Sequence, residues 1–149
     1  MNNKGFSMVE LIIVIAIMAI LAGAIAPLLI DYINKSRIST DIDTGSAIGR
    51  AITAAVTNES VFYNVVDHPT EADMQNVNQM DGDAFHDEVF SSFAVDTFVG
   101  KSKRDVNGNS LDRNFYYTVD ATRNVVAVYY GGKDSTYQVF PVVSSRFTD

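Results

Sequence analysis

The chain begins with a long apolar run and then changes to spaced apolar positions. The twenty residues 11–30 contain no charge, and a helix of that length spans about 30 Å, the thickness of a bilayer's hydrocarbon core. From residue 34 onward, apolar residues recur at helical spacing with charged residues between them. The pattern predicts one helix over 6–58, with a transmembrane part at 6–33 and an amphipathic part at 34–58.

The spaced apolar positions define a stripe along the second half of this helix. They are Ile33, Ile38, Ile42, Ile48, Ile52 and Val56, and Asp31, Lys35, Arg37, Asp41 and Arg50 fall between them. Gly45 and Gly49 lie in the same stretch, where a glycine either weakens an exposed helix or permits close packing. A helix with such a stripe needs another element to cover it.

A different pattern near the C-terminus predicts a sheet that could pack on this stripe. Residues 115–120, 124–130 and 136–143 are rich in β-branched and aromatic side chains, as strands are. Short polar connections at 121–124 and 131–134 favour hairpins, so 114–143 should form an antiparallel sheet. Pro141 has no amide to donate to a β-ladder hydrogen bond, so the last strand should lie at the edge of the sheet or end near Pro141. The expected fold is α+β, with a long N-terminal helix packed on a small C-terminal antiparallel sheet.

The region 59–113 joins helix to sheet and has a mixed pattern, which we interpret as a variable αβ part of the globular head at 59–149. Thr70 could cap a short helix over 71–80. Asp83 could cap another helix, with these residues on its buried side: Phe85, Val89, Phe90 and Phe93.

The residues at the head of the apolar run carry a further signal. Gly5-Phe6 is followed by Glu10, although a carboxylate at membrane depth is costly unless it is paired. A secretory signal cut near 24–26 does not explain Glu10 or the length of the run, and a plain single-pass anchor does not need this arrangement. Residues 4–27, KGFSMVELIIVIAIMAILAGAIAP, closely resemble the processing site and first helix of type IV pilins and of the pseudopilins of type II secretion.

The resemblance implies a processing and assembly site. Residues 1–5 would be a leader, and a prepilin peptidase would cut after Gly5 and methylate the new amine of Phe6. Glu10 would pair with the Phe6 ammonium of a neighbouring copy once water is excluded. Pro27, which should loosen the helix, would mark a position where it melts locally during assembly.

The implied function is that of a structural subunit of a type IV pilus. It would be a single-pass membrane protein before assembly and part of an extracellular filament afterwards. The implied partners are copies of itself, the prepilin peptidase, an inner-membrane assembly platform, an assembly ATPase, minor pilins and, before assembly, the membrane.

Two other functions remain open. A pseudopilin of a type II secretion-like system, or a minor pilin, would share the N-terminal motif. A membrane-tethered extracellular module would use its β-domain to bind a ligand, and a mature N-terminus at Phe6 would count against it.

Composition limits the remaining possibilities. The 149 residues carry a formal charge of −7 and no cysteine, so one modest domain beyond the anchor must be held by packing or by an ion rather than by a disulfide. An acidic surface argues against nucleic acid as a partner, because phosphate binding needs a basic patch. The basic cluster at 101–104 is expected to be a solvated loop.

The sequence offers no enzyme motif. It has no cysteine nucleophile, no Gly-x-Ser-x-Gly turn and no phosphate-binding loop. His68 and His86 lack metal-ligand spacing, and we expect both to be structural or neutral.

One loop has the composition of a calcium site. Four oxygen-bearing side chains surround Gly108: Asp105, Asn107, Asn109 and Asp112. Calcium takes six to eight oxygen ligands, and the loop resembles the start of an EF-hand, although Ser110 replaces the expected glycine and Tyr116 the acid. It also loosely resembles the calcium loop of major pseudopilins. The alternative is an Asn-Gly turn that faces water. No other cofactor is predicted.

Overall fold

The computed structural model describes residues 5–63, 65–120, 122 and 124–148. The chain divides into two compact units, Met1–Asn34 and Lys35–Asp149. Helix α1, Met8–Thr57, begins in the first unit and ends in the second. The second unit adds two helices and a four-stranded sheet. These are α2 (Glu59–Phe62), α3 (Asp83–Ser91), β1 (Gln75–Asn76), β2 (Phe115–Asp120), β3 (Val125–Tyr130) and β4 (Gln138–Phe140).

The first unit consists of the apolar part of α1 and the residues before it. All its described residues except Asn34 are exposed. In the described part of the chain, α1 is the one helix long and apolar enough to cross a membrane. A helix suits that environment because it pairs backbone amides and carbonyls with one another within the segment.

The second unit is organised around the antiparallel sheet, whose strand order is β1-β2-β3-β4. Phe115 is paired with Tyr130 and Tyr117 with Val128, and all four side chains are buried. Because side chains alternate across a strand, these residues share the face that packs on α1. The predicted α+β fold, with the long helix on a small antiparallel sheet, is confirmed.

The stripe on α1 is buried against this sheet as predicted, apart from its first position. Ile38, Ile48, Ile52 and Val56 are buried and Ile42 partly so, whereas Ile33 is 40% exposed.

The two glycines explain how closely the helix and the sheet approach. A Cβ on Gly45 would overlap Val139, and one on Gly49 would overlap the ring of Phe140. Both glycines therefore permit close packing on β4.

The predicted helix over 71–80 is wrong. Two short 3₁₀ turns, Glu71–Asp73 and Val77–Gln79, flank strand β1, which pairs with β2. The hydroxyl of Thr70 bonds the Asp73 carboxylate (2.6 Å) rather than a backbone amide, so it does not cap a helix. The segment instead adds an edge strand to the sheet.

Helix α3 is confirmed, with a different start. Asp83 lies in its first turn and Gly82, at φ 88°, precedes it. The predicted buried side is correct for Phe85, Val89 and Phe90, and Phe93 is partly buried beyond the helix end.

The last strand is shorter than predicted. It covers only Gln138–Phe140, and the 3₁₀ turn Ser135–Tyr137 lengthens the connection from β3. β4 lies at the sheet edge and ends before Pro141, as the missing amide of proline requires. Of the predicted turn at 121–124, Ala121 and Arg123 lie outside the described residues.

Candidate processing and assembly site

The peptide bond between Gly5 and Phe6 lies ahead of the first helix. Phe6 is 92% exposed, and a Cβ placed on Gly5 would have nothing within 4 Å. Since α1 begins only at Met8, the bond takes no part in the helical hydrogen-bond pattern. It is therefore accessible in the folded chain.

Two polar side chains close the N-terminal end of α1. The Oγ atom of Ser7 accepts a hydrogen bond from the amide of Val9 (3.2 Å), and Oε2 of Glu10 accepts one from the amide of Ser7 (2.8 Å). These reciprocal contacts form a capping box, which satisfies two amides at the start of the helix. Its signal, Ser-x-x-Glu at 7–10 before an apolar run, was missed in the sequence analysis.

Glu10 stands where the polar end meets the apolar helix. Residues 11–30 follow it without a charge and are all exposed. In the part of the chain that the structure describes, the hydrogen-bond donor to the carboxylate is a neutral amide. A carboxylate in apolar surroundings is more stable beside a cation, so this end of the helix can accept a positively charged group.

Pro27 lies inside α1, and the helix continues on both sides of it. Because proline has no amide proton, the carbonyl of Gly23 lacks the donor that a helix normally supplies. Local melting at Pro27 during assembly stays a prediction.

Residues 1–26 match the family model of the prokaryotic N-terminal methylation motif. The chain therefore carries a type IV pilin-like prepilin motif, and Gly5, Phe6 and Glu10 lie within it. The motif implies processing by a prepilin peptidase and assembly by pilus-type machinery in general, and with the apolar helix it fits membrane anchoring before assembly. No curated protein and no solved structure matches the chain.

A buried carboxylate on α1 holds the segment after Gly100 against the helix. Asp41 is 2% exposed; its Oδ1 accepts a hydrogen bond from the amide of Lys101 (2.7 Å) and its Oδ2 from that of Ser102 (2.6 Å). The hydroxyl of Tyr130 donates to the carbonyl of Ser102. Burial raises the pKa of Asp41, and the amide donors offset this only in part.

The burial of Asp41 corrects two expectations. The residue was placed among the polar positions between the apolar ones, yet it follows Ile38 by three positions, which puts both on one helix face. The cluster at 101–104 was expected to be a solvated loop. Its three cations are exposed, but Ser102 is fully buried and the backbone is bonded to α1.

The structure brings Asp105, Asn107 and Asn109 together in one turn. The buried Asp105 carboxylate accepts hydrogen bonds from the amides of Asn107 (2.9 Å) and Asn109 (2.8 Å) and from the side chain of Asn109 (2.9 Å). Arg146 completes the set, with Nη1 3.0 Å from Oδ2. Asp112 has other partners, the amide of Asn114 and the hydroxyl of Tyr116.

These contacts bear on the calcium prediction. Four hydrogen bonds, one of them from a cation, use the oxygens of Asp105, so the loop as placed does not form a calcium cage. Calcium binding stays a prediction, and it would require Arg146 to move. If calcium binds, the protein should melt at a higher temperature in calcium than in chelator. Equal melting temperatures would favour the alternative, a polar turn that faces water.

Protonation of Asp105 should lower the stability of the fold. Burial opposes its ionisation, but the hydrogen bonds from Asn109 and Asn107 and the charge of Arg146 outweigh burial and hold the pKa of Asp105 below its ordinary 3.8. Such a carboxyl stabilises the fold above that value, and the contribution is lost as pH falls through the lowered pKa. Melting of detergent-extracted protein from about pH 6 to about pH 2 measures this loss.

The matched variants for this prediction are Asp105→Asn and Asp43→Asn, since Asp43 is exposed on α1. Asp43→Asn should keep the acid-dependent loss, and Asp105→Asn should show less of it. Equal losses in both variants would mean that ionisation of Asp105 contributes nothing to the acid dependence.

The two histidines lie in separate surroundings. His68 is buried and exchanges backbone hydrogen bonds with Val119 in β2. Its Nε2 lies 3.3 Å from Oδ2 of Asp81 without forming a hydrogen bond. His86 stacks on Phe90. Among the described residues, no group of three or more His, Cys, Asp or Glu could hold a metal.

Proposed function

We propose that this protein is the structural subunit of a type IV pilus. It is cut after Gly5, methylated at the amine of Phe6 and polymerised through the first part of α1. The observation that carries the proposal is the methylation motif at 1–26 together with the apolar first part of α1, whose side chains at 11–30 are all exposed. The second unit has its own core and is a stable head for the subunit.

The exposed helix needs a partner in each state of the protein. Before assembly, lipid covers residues 11–30, since their length suits the hydrocarbon core. In the filament, copies of the same helix cover them. Water is then excluded around Glu10, and the ammonium of a neighbour's Phe6 replaces the neutral amide of Ser7 as the main partner of the carboxylate.

The proposal includes the machinery that such a filament needs. A prepilin peptidase creates the Phe6 amine, an assembly ATPase acts through an inner-membrane platform, and minor pilins take part in assembly. The mature subunit leaves the membrane for a filament on the cell surface. The role is structural rather than catalytic.

Imaging of the cell surface tests this function. A strain that lacks the gene should lose surface filaments, and the wild-type gene should restore them. A gene carrying Gly5→Leu should not restore them, because the precursor stays uncut, whereas Ser7→Ala should, because it alters only the cap. Filaments that persist in the deletion strain would contradict the proposal, and a processed protein confined to the envelope would indicate a pseudopilin.

A further inference from the structure

Charge is distributed unevenly along the second unit. Residues 51–100 contain nine Asp and Glu and no Lys or Arg. Residues 101–104, here called the basic loop, carry three exposed cations: Lys101, Lys103 and Arg104. The fold decides whether these opposite charges can meet within one copy.

The basic loop has a fixed conformation. Asp41 accepts hydrogen bonds from two of its amides, and the hydroxyl of the buried Ser102 donates to the carbonyl of Arg104 (2.6 Å). The backbone of Arg104 also forms an isolated antiparallel β-bridge with the backbone of Ser110. A loop already held in place loses little conformational entropy when it docks.

Four of these acidic residues lie on α2 and α3, and one of them contacts the residue that follows the C-terminal end of α1. Oε1 of Glu88 accepts a hydrogen bond from Nδ2 of Asn58 (3.0 Å), which directly follows α1, whereas the basic loop contacts α1 at Asp41. These two contact points are about 25 Å apart along the helix axis. The acidic end is defined by four residues: Glu59, Asp83, Asp87 and Glu88. At this separation, the two surfaces of one copy cannot pair.

We propose that the basic loop of one copy docks on the acidic end of a second copy. The inference rests on the proposed function, because it places the contact between subunits of a filament. Two different surfaces that meet head to tail give an open-ended assembly, as a filament requires. A contact through the same surface on both copies would bring like charges together.

A second copy fits the basic loop better than a nucleic acid or an anionic membrane does. Each chain carries a formal charge of −7, so packed copies repel one another unless opposite charges face each other. Within a filament, the acidic end of the next copy is also held close, at a high effective concentration.

Exchange of the charges between the two surfaces tests the contact. Filaments sheared from cells with Lys103→Glu/Arg104→Glu should be about tenfold fewer than wild type, since reversed exposed pairs weaken each contact by about that factor. Adding Glu59→Lys/Asp87→Lys should restore the yield.

The control variant is Arg37→Glu/Arg50→Glu, which makes the same change in net charge at two exposed positions of α1 and should keep the yield. Equal melting temperatures of the detergent-extracted subunits would show that all variants fold. Failure of the charge exchange to restore filaments would overturn the inference and leave the proposed function intact. If wild-type cells make no filaments, the proposed function fails and this contact with it.

A different result would assign the basic loop to another partner. Normal filament yield from Lys103→Glu/Arg104→Glu, with lost binding to DNA or to phosphatidylglycerol vesicles, would identify a polyanion site and overturn the contact between copies.

Discussion

Glu10→Ala should leave the protein in the membrane and remove surface filaments, with a yield at least about a hundredfold below wild type. Insertion survives because the substitution removes a charge that lipid disfavours. Assembly fails because the Phe6 ammonium of the neighbouring copy loses its partner where water is excluded. Counting filaments by electron microscopy, with membrane fractions probed for the subunit, measures both effects.

Two further variants separate the charge of Glu10 from its role in the cap. Glu10→Gln keeps an oxygen for the Ser7 amide but removes the charge, so it should behave like Glu10→Ala. Ser7→Ala removes the oxygen that receives the Val9 amide and should keep its filaments. A normal yield from Glu10→Gln would show that pairing with an ammonium is not needed.

Asp41→Ala should lower the free energy of unfolding by about 3 kcal/mol, because two buried amides lose their acceptor. For a folded unit of this size the melting temperature should fall by about 10 °C. The loss should appear in thermal melts of the detergent-extracted protein near neutral pH. The basic loop would lose its attachment to α1, so filament yield should fall as well.

The control series for this prediction is Asp41→Ala, Asp41→Asn and Asp43→Ala. Asn retains one acceptor oxygen, so its effect should be intermediate, and Asp43 is exposed, so its removal should have little effect. Because the pKa of Asp41 is raised, the protonated carboxyl stabilises the fold more than the carboxylate does, and this difference is lost as pH rises through the raised value. An effect of Asp41→Ala no larger than that of Asp43→Ala would contradict the anchoring role.

The sequence predicted the elements in which apolar residues recur in a clear helical or strand pattern. Twenty uncharged residues and a stripe at helical spacing indicate α1, and β-branched and aromatic runs indicate β2 and β3. Gly5, Phe6 and Glu10 were found because their spacing is local and short. In each case, neighbouring residues along the chain are enough to fix the element or the motif.

The remaining features depend on contacts between distant segments. Asp41 is buried because amides sixty residues away need an acceptor, and nothing near Asp41 in sequence indicates them. Strand β1 exists because β2 offers an unpaired edge to Gln75 and Asn76. Arg146 meets Asp105 across 41 residues, so local composition could not show that a cation already holds that loop.

The intact mass of the membrane-extracted protein tests the account most directly. The mature chain should begin at Phe6, lack residues 1–5 and carry one added methyl group, and Gly5→Leu should leave the full-length precursor. An unmodified chain that begins at Met1 in the native host would contradict the assignment of this protein as a filament subunit.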